Sequence, residues 1–317
     1  MSKILVTGSS VDTGILQPLV DAGFDVHNPH HLLPEQELRR ELASAVGYLL
    51  GGDEFVTATA LGEADELGVI AFLGMGYESF MDASAVRARG IPITNTPDTL
   101  TDSVAEFTLG LTLDLCRRIT HNGNRYRTGE RGFEARRHEL RSRRCGIVGL
   151  GAIGTRIADI LVQGFGAEVS YYSRTRKPAD EERLGIDFQP LDRLAANVDV
   201  LIVMTPGNEH TQGLVSAELL AAAQPGLLLV NTARPEVVDA AGLRQALETG
   251  TVEAAAFDGF YDDTDISTRL TDDFGDDRLL VTGHIASLTH EARAAMGSRA
   301  VRSILNVLES GTDTYLV

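Results

Sequence analysis

GIVGLGAIG, residues 146–154, is the stretch from which the fold can be read. The apolar run Cys145-Gly-Ile-Val-Gly reads as a short strand, and residues 155–163 carry helical periodicity. Between them Gly149, Leu150, Gly151, Ala152, Ile153 and Gly154 have the G-x-G-x-x-G spacing, with another strand-like run at 167–172. Each glycine suits a dinucleotide turn. Gly149 permits the tight turn, Gly151 lets the backbone approach a pyrophosphate, and Gly154 allows close helix–strand packing. The anion then rests on unpaired N–H groups at a helix N-terminus. In a chain with 32 glycines among 317 residues the spacing alone is weak, and its strand–turn–helix–strand context gives it force.

Upstream, residues 3–8, 24–28, 47–50, 69–72 and 93–95 read as strands. Helices are expected between them at 16–22, 35–45, 57–67 and 81–89. Strands alternating with helices predict a parallel, doubly wound sheet. Residues 101–119 read as a long, mostly apolar helix that belongs in a core or a subunit interface. The Arg-rich run 121–144 reads as a solvated linker or arm. Beyond the glycine turn, strands are expected at 168–172, 198–204, 226–231, 253–257 and 279–282, with helices at 217–223 and 240–249. A last helix, 289–308, could return to the first domain. The expected fold class is α/β, with two doubly wound parallel-sheet domains, the central one a Rossmann dinucleotide-binding domain. Its expected bounds are 98–287, and 1–97 plus 288–317 form the other domain.

The composition, 43% hydrophobic and 23% charged, is ordinary for a soluble globular chain. A formal charge of -17 argues against nucleic-acid binding without a local basic patch. Lys3 and Lys177 are the only lysines, so nearly all positive charge is arginine, which speaks of genome composition or salt adaptation rather than function. Cys116 and Cys145 offer neither a disulfide framework nor metal-ligand spacing and read as small buried hydrophobes. Met1-Ser-Lys leads straight into a strand without a signal peptide, and no apolar run has membrane-spanning length. A cytoplasmic protein is expected.

With this order in place, the chain resembles the D-isomer-specific 2-hydroxyacid dehydrogenase family over nearly its whole length. The segments that carry the resemblance are GMGYESF at 74–80, TNTPDTLTDSVAEFTLG at 94–110, GIVGLGAIG at 146–154, NTARPEVVDAAGLRQAL at 231–247 and GHIASLTHEA at 283–292. The resemblance implies that 1–97 plus 288–317 are a substrate domain split between the chain ends, with an active site in the cleft and a homodimer built on the nucleotide domain. It also implies residue roles. Arg234, after the apolar strand LLLVNTA, is the substrate arginine, and a guanidinium there can bind a carboxylate bidentately. His284 is the proton carrier, suited to it because imidazole titrates near neutrality.

A carboxylate beside the imidazole would complete the pair, and here the sequence departs from the family. Counting from Arg234 by the family spacing reaches Asp263, where Glu is usual, with Asp262 and Asp265 as rivals. Pro235 stands where Gly is usual and should hold Arg234 extended, and Gly283 stands where Pro is usual. Gly74, Met75 and Gly76 match the substrate loop, whose N–H groups would meet the carboxylate. Met75 is a flexible wall. Asp258 matches the aspartate near the nicotinamide, or caps the turn after its strand.

The residues expected to line the dinucleotide are Gly149, Gly151, Ala152, Ile153, Gly154, Ser173, Arg174, Thr175, Arg176, Thr205, Pro206, Thr232, Ala233 and Asp258. An NAD-specific site has an acid at the end of its second strand, but Ser173 stands there. Arg174, Arg176 and Lys177 follow, with Ser173 and Thr175 as small donors, a group suited to a 2′-phosphate. NADP(H) is therefore the expected cofactor, with NAD(H) as the alternative. The expected activity is hydride transfer between NADP(H) and a small 2-keto acid such as glyoxylate, hydroxypyruvate or a bulkier one. The alternatives are a 3-phosphoglycerate dehydrogenase-like enzyme and a dinucleotide-sensing, corepressor-like interaction module.

Overall fold

Short apolar runs alternating with amphipathic segments yield two parallel sheets in the computed structural model, which describes residues 1–8, 11–131 and 137–317, with the backbone alone at 276. The chain divides into two compact units, Met1–Leu100 with Leu288–Val317, and Thr101–Ser287.

The first unit begins β1 (Lys3–Val6), α1 (Thr13–Asp21), β2 (Asp25–His27), α2 (Glu35–Leu42), β3 (Ala45–Leu50), β4 (Ile70–Phe72), α3 (Ala83–Ala88) and β5 (Ile93–Thr94). Its strands lie in the order β2-β1-β3-β4-β5, all pairs parallel. Successive side chains of a strand point to opposite faces. Leu5 accordingly enters one apolar cluster with Tyr48, Leu50 and Ile70, while Ile4 and Val6 enter the other with Leu49 and Ala71.

The second unit opens with α4 (Thr101–Arg117) and α5 (Ile119–Arg127). It continues through β6 (Arg144–Val148), α6 (Ala152–Ile160), β7 (Glu168–Tyr172), α7 (Pro178–Leu184), β8 (Asp187–Phe188), α8 (Leu191–Asn197), β9 (Val200–Val203) and α9 (Ala217–Ala221). It ends with β10 (Leu227–Asn231), α10 (Ala240–Thr249), β11 (Val252–Asp258), α11 (Thr264–Arg278) and β12 (Leu279–Thr282). The strand order is β12-β11-β10-β9-β6-β7-β8, again all parallel. It reverses between β6 and β9, and ligands of open α/β sheets bind at such a switch point. Buried on both faces, the strands are almost wholly apolar: Val200 and Ile202 face one cluster, Leu201 and Val203 the other. The apolar helix α4 covers the first of these faces with Ala105, Leu109, Leu111, Leu115 and Cys116. Burial pushes the thiols up, Cys116 to about 11 and Cys145 to about 12, so both stay protonated.

The chain then returns to the first unit as α12 (His290–Ser310), capped by the Thr289 hydroxyl. Its residues Ala300, Val301, Ile304 and Val307 complete the cluster around Ile4 and Val6. Among the described residues no helix is long and apolar enough to cross a membrane.

Three expectations need correcting. Residues 57–67 form turns, not a helix: Thr57 Oγ1 takes the Ala60 N–H, and Gly62, Ala64 and Leu67 bond three residues back. Gly62 weakens any helix there, and Ala60, Leu61, Ala64 and Leu67 are buried without one. The apolar helix ends at Arg117, because Arg118 adopts a left-handed backbone (φ 51°). Part of the supposed arm is α5, which runs on to Arg127, while 132–136 of that stretch lie outside the described residues.

Candidate active site

Gly149 closes the β6 turn with φ +107°, and a Cβ there would lie 2.7 Å from the Met204 carbonyl oxygen. Gly154 packs so tightly that a Cβ would collide with the Gly149 carbonyl. Gly151, the residue before α6, has nothing within 4 Å of an added Cβ and no side-chain cap. The first N–H groups of α6, those of Ala152 and Ile153, have no protein acceptor among the described residues, which leaves them to an anion at the helix N-terminus. These residues fit a dinucleotide pyrophosphate.

Because the sheet is parallel, β9 to β12 deliver their following residues to this same edge. Thr205 and Pro206 follow β9, with Thr211 Oγ1 donating to the Pro206 carbonyl at 2.6 Å. After β10, Asn231, 1% exposed, accepts from Ala233 N (2.9 Å) and donates to the Arg234 carbonyl (2.8 Å). Thr232 is tied to α4 through Thr108 at 2.6 Å. Arg234 is extended (φ -132°, ψ 139°), the geometry Pro235 imposes, and Pro235 opens a short 3-10 turn. Its Nη1 donates to the Ala233 carbonyl at 3.0 Å and lies 3.5 Å from Nε2 of His284.

His284 has a left-handed backbone (φ 56°), uncommon outside glycine. Asp258, 3% exposed at the end of β11, accounts for it: its carboxylate accepts from Thr282 Oγ1 (2.7 Å), Ile285 N (2.8 Å) and Ala286 N (2.8 Å). Asp258 thus clamps both sides of the histidine, and Gly259 after it takes the left-handed φ of +86°. Asp258 and Asn231 brace the backbone on which His284 and Arg234 stand. Asn231 was not singled out from the sequence, although its place at the end of a buried strand was a usable signal.

Asp263 requires a correction. It is the N-cap of α11, and its Oδ1 accepts from Asp265 N (3.0 Å) and Ile266 N (3.1 Å). Among the described residues its hydrogen bonds are these, and neither reaches the imidazole. Aspartate before a helix start satisfies N–H groups that would otherwise be orphaned.

Ser173 follows β7 and donates to the Thr175 carbonyl at 2.6 Å. Arg174 is exposed and, among the described residues, forms no ion pair. Arg176 corrects the expected cation cluster: its Nε and Nη2 bond Glu181 at 2.8 and 2.6 Å. The Arg176 hydrogen bond, with one from the Tyr171 hydroxyl (2.7 Å), pulls the Glu181 carboxyl down to about 2.

In the first unit Gly74 (φ +143°) donates its N–H to Thr96 Oγ1 at 2.9 Å, and Asn95 reaches the Met75 carbonyl at 3.4 Å. Buried Asn95 and Thr96 thus brace a loop in which Met75 is 48% exposed. Gly76 precedes the 3-10 turn Tyr77–Ser79.

A glycine turn at a sheet's switch point, with arginine and imidazole at the same strand ends, defines a dinucleotide-dependent oxidoreductase. A family model described as "D-isomer specific 2-hydroxyacid dehydrogenase, NAD binding domain" matches residues 109–286. The chain belongs to the D-isomer-specific 2-hydroxyacid dehydrogenase family. It is 30% identical over 311 residues to the glyoxylate reductase of Pyrococcus furiosus, covering 96% of this chain and 91% of that one. It is 32% identical over 274 residues to glyoxylate/hydroxypyruvate reductase B of Erwinia tasmaniensis, covering 85% and 84%. The structure of the NADPH-dependent glyoxylate/hydroxypyruvate reductase of Sinorhizobium meliloti with NADP and malonate matches with a TM-score of 0.82 and 30% identity, covering 99% of this chain and 96% of that one. The protein is an oxidoreductase acting on CH–OH donors, moving a hydride between a nicotinamide dinucleotide and a small 2-keto acid.

Proposed function

We propose that the protein is an NADP(H)-dependent reductase of a small 2-keto acid, with glyoxylate and hydroxypyruvate the first candidates. The observation that carries this reading is the 3.5 Å approach of Arg234 Nη1 to His284 Nε2 beside the glycine turn. A bound dihydronicotinamide supplies the hydride for C2. Arg234 binds the substrate carboxylate through its planar donor fork, which fixes the plane of the keto acid. His284 gives its proton to the carbonyl oxygen as charge develops there and takes it back in oxidation. Asp258 and Asn231 position these two groups. Ser173, Arg174 and Thr175 bind the 2′-phosphate, and the loop Gly74–Met75–Gly76 is the substrate loop. The reading includes a homodimer through the dinucleotide unit, the other unit as substrate domain, and a cytoplasmic location.

NADPH and NADH oxidation with glyoxylate, hydroxypyruvate, pyruvate and phenylpyruvate tests the reading. Turnover of one acid with NADPH preferred is expected. His284→Asn should lower kcat by roughly 10²–10⁴ while NADPH still binds, and Arg234→Gln should raise KM and lower kcat/KM together. Preference for NADH throughout would overturn the cofactor assignment, and full activity of the His284 variant would overturn the proton carrier.

A further inference from the structure

The basic loop after β7 carries a feature that the cofactor reading does not use. Glu181, on α7, sits against Arg176 with its side chain only 14% exposed. Arg176 presents its Nε–Nη2 edge, giving bonds of 2.8, 3.1 and 2.6 Å to the two carboxylate oxygens. Tyr171, buried at the base of the loop, donates its hydroxyl to Glu181 Oε1 (2.7 Å) and accepts from Lys177 N (2.7 Å). The carboxylate is therefore held in place from two sides, and the guanidinium leans on Phe188 at 5.9 Å. The Nη1 side of Arg176 carries no bond among the described residues, so the arginine still faces outward but its charge is already balanced. Pro178 at the first turn of α7 folds the chain back, bringing Glu181 under the arginine.

We propose that Glu181 is a specificity-determining residue for the dinucleotide: by balancing Arg176 it tempers the attraction of the loop for a 2′-phosphate, so that both phosphorylated and unphosphorylated cofactors are accepted. The inference rests on the reading that residues 173–177 meet the 2′-phosphate. The argument is one of charge. A 2′-phosphate dianion at this loop is attracted by Arg174 and Lys177, which form no ion pair among the described residues, and sees Arg176 and Glu181 as a neutral pair. Removing the carboxylate's charge restores a further cation, and removing the guanidinium leaves a bare anion facing the phosphate. Neither change alters the net Coulomb attraction for a 2′-hydroxyl, which carries no net charge.

Dissociation constants for NADPH and NADH, measured by fluorescence titration on the full chain, test this with Glu181→Gln, Arg176→Gln and the double variant. Glutamine keeps the shape of Glu181 without its charge, and at position 176 it removes the guanidinium while staying polar. Glu181→Gln should tighten NADPH about three- to tenfold, the scale of an exposed charge interaction. Arg176→Gln should weaken it by a similar factor, and the double variant should return to the wild-type value. NADH binding should stay within about twofold across the set, and the NADPH differences should shrink as salt is added. Tyr171→Phe removes a support of the loop without changing charge and should leave the NADPH/NADH ratio unaltered. If Tyr171→Phe reproduces the Glu181→Gln effect, or if Glu181→Gln binds NADPH no more tightly than wild type, the proposal is overturned. Failure of the cofactor reading looks different: Arg174→Gln would then leave NADPH binding unchanged, and the wild-type chain would reject NADPH outright.

Discussion

His284 holds a left-handed backbone because three donors around it converge on one carboxylate, and that makes Asp258 the residue on which the proposed proton carrier depends. Hydrogen bonds to a charged group are worth about 1.5–3 kcal/mol each, and a buried donor left unpaired costs as much again. Asp258→Asn keeps the shape but turns an amide N–H₂ toward backbone N–H groups. A stability loss of about 2–4 kcal/mol is expected, with kcat/KM lowered roughly 10²-fold, the cost of a small misplacement of a catalytic group. Thermal melting and steady-state kinetics on the one variant check both, and wild-type kcat/KM would show that His284 needs no such clamp. The positions of Arg234, His284 and Asp258 at strand ends were legible in the sequence because an unbroken apolar strand has an end that can be counted. The capping position of Asp263 was missed because α11, polar throughout and burying little beyond Leu270 and Phe274, leaves no apolar periodicity to announce it. Glu181 escaped because a basic cluster was read along the loop, whereas its counter-charge comes from the next helix.

At the scale of an element, the strand–turn–helix of β6 and α6 separates what glycine does for folding from what it does for binding. Gly154 has no room for a Cβ against the Gly149 carbonyl, whereas Gly151 has open space at a backbone angle that any residue adopts. Gly154→Ala should therefore push α6 off the sheet, costing about 1–3 kcal/mol and weakening both dinucleotides through the fold. Gly151→Ala should melt with the wild type yet raise Kd for NADPH and NADH at least tenfold, since its methyl stands where the pyrophosphate approaches. Melting curves and fluorescence titrations distinguish the two, and equal melting losses would refute the division of roles. The alternation of apolar runs made the two parallel sheets legible, because buried parallel strands have no polar face to confuse them. Helix ends were less so. The break after Arg117 depends on a left-handed Arg118 held by Glu253 at 3.0 Å, a contact distant in sequence that no local pattern encodes.

For the whole molecule, a formal charge of -17 means that folding gathers like charges that the unfolded chain keeps apart. Local pairs soften this: Arg244 bridges Glu248 and Asp273 at 3.0 and 2.6 Å, and Arg156 bridges Asp102 and Asp159 at 2.7 and 2.9 Å. With 45 acidic against 28 basic residues such pairs leave a large unpaired excess, so repulsion should outweigh attraction over the surface. Exposed pairs contribute little each and are screened by the same salt, which leaves the excess to set the sign. Raising KCl from about 0.02 M to 0.3 M, over which the Debye length falls several-fold, should therefore raise the melting temperature, by roughly 3 °C or more for each 1–2 kcal/mol of repulsion removed. Most of the rise should come at the low end of the range, where screening changes fastest, while general salt effects on burial grow steadily to molar concentrations. NADPH should respond in the opposite sense at the loop, its affinity falling with salt as Arg174 is screened. A melting temperature that fell as salt was added would mean that the arginine pairs, not the acidic excess, govern stability.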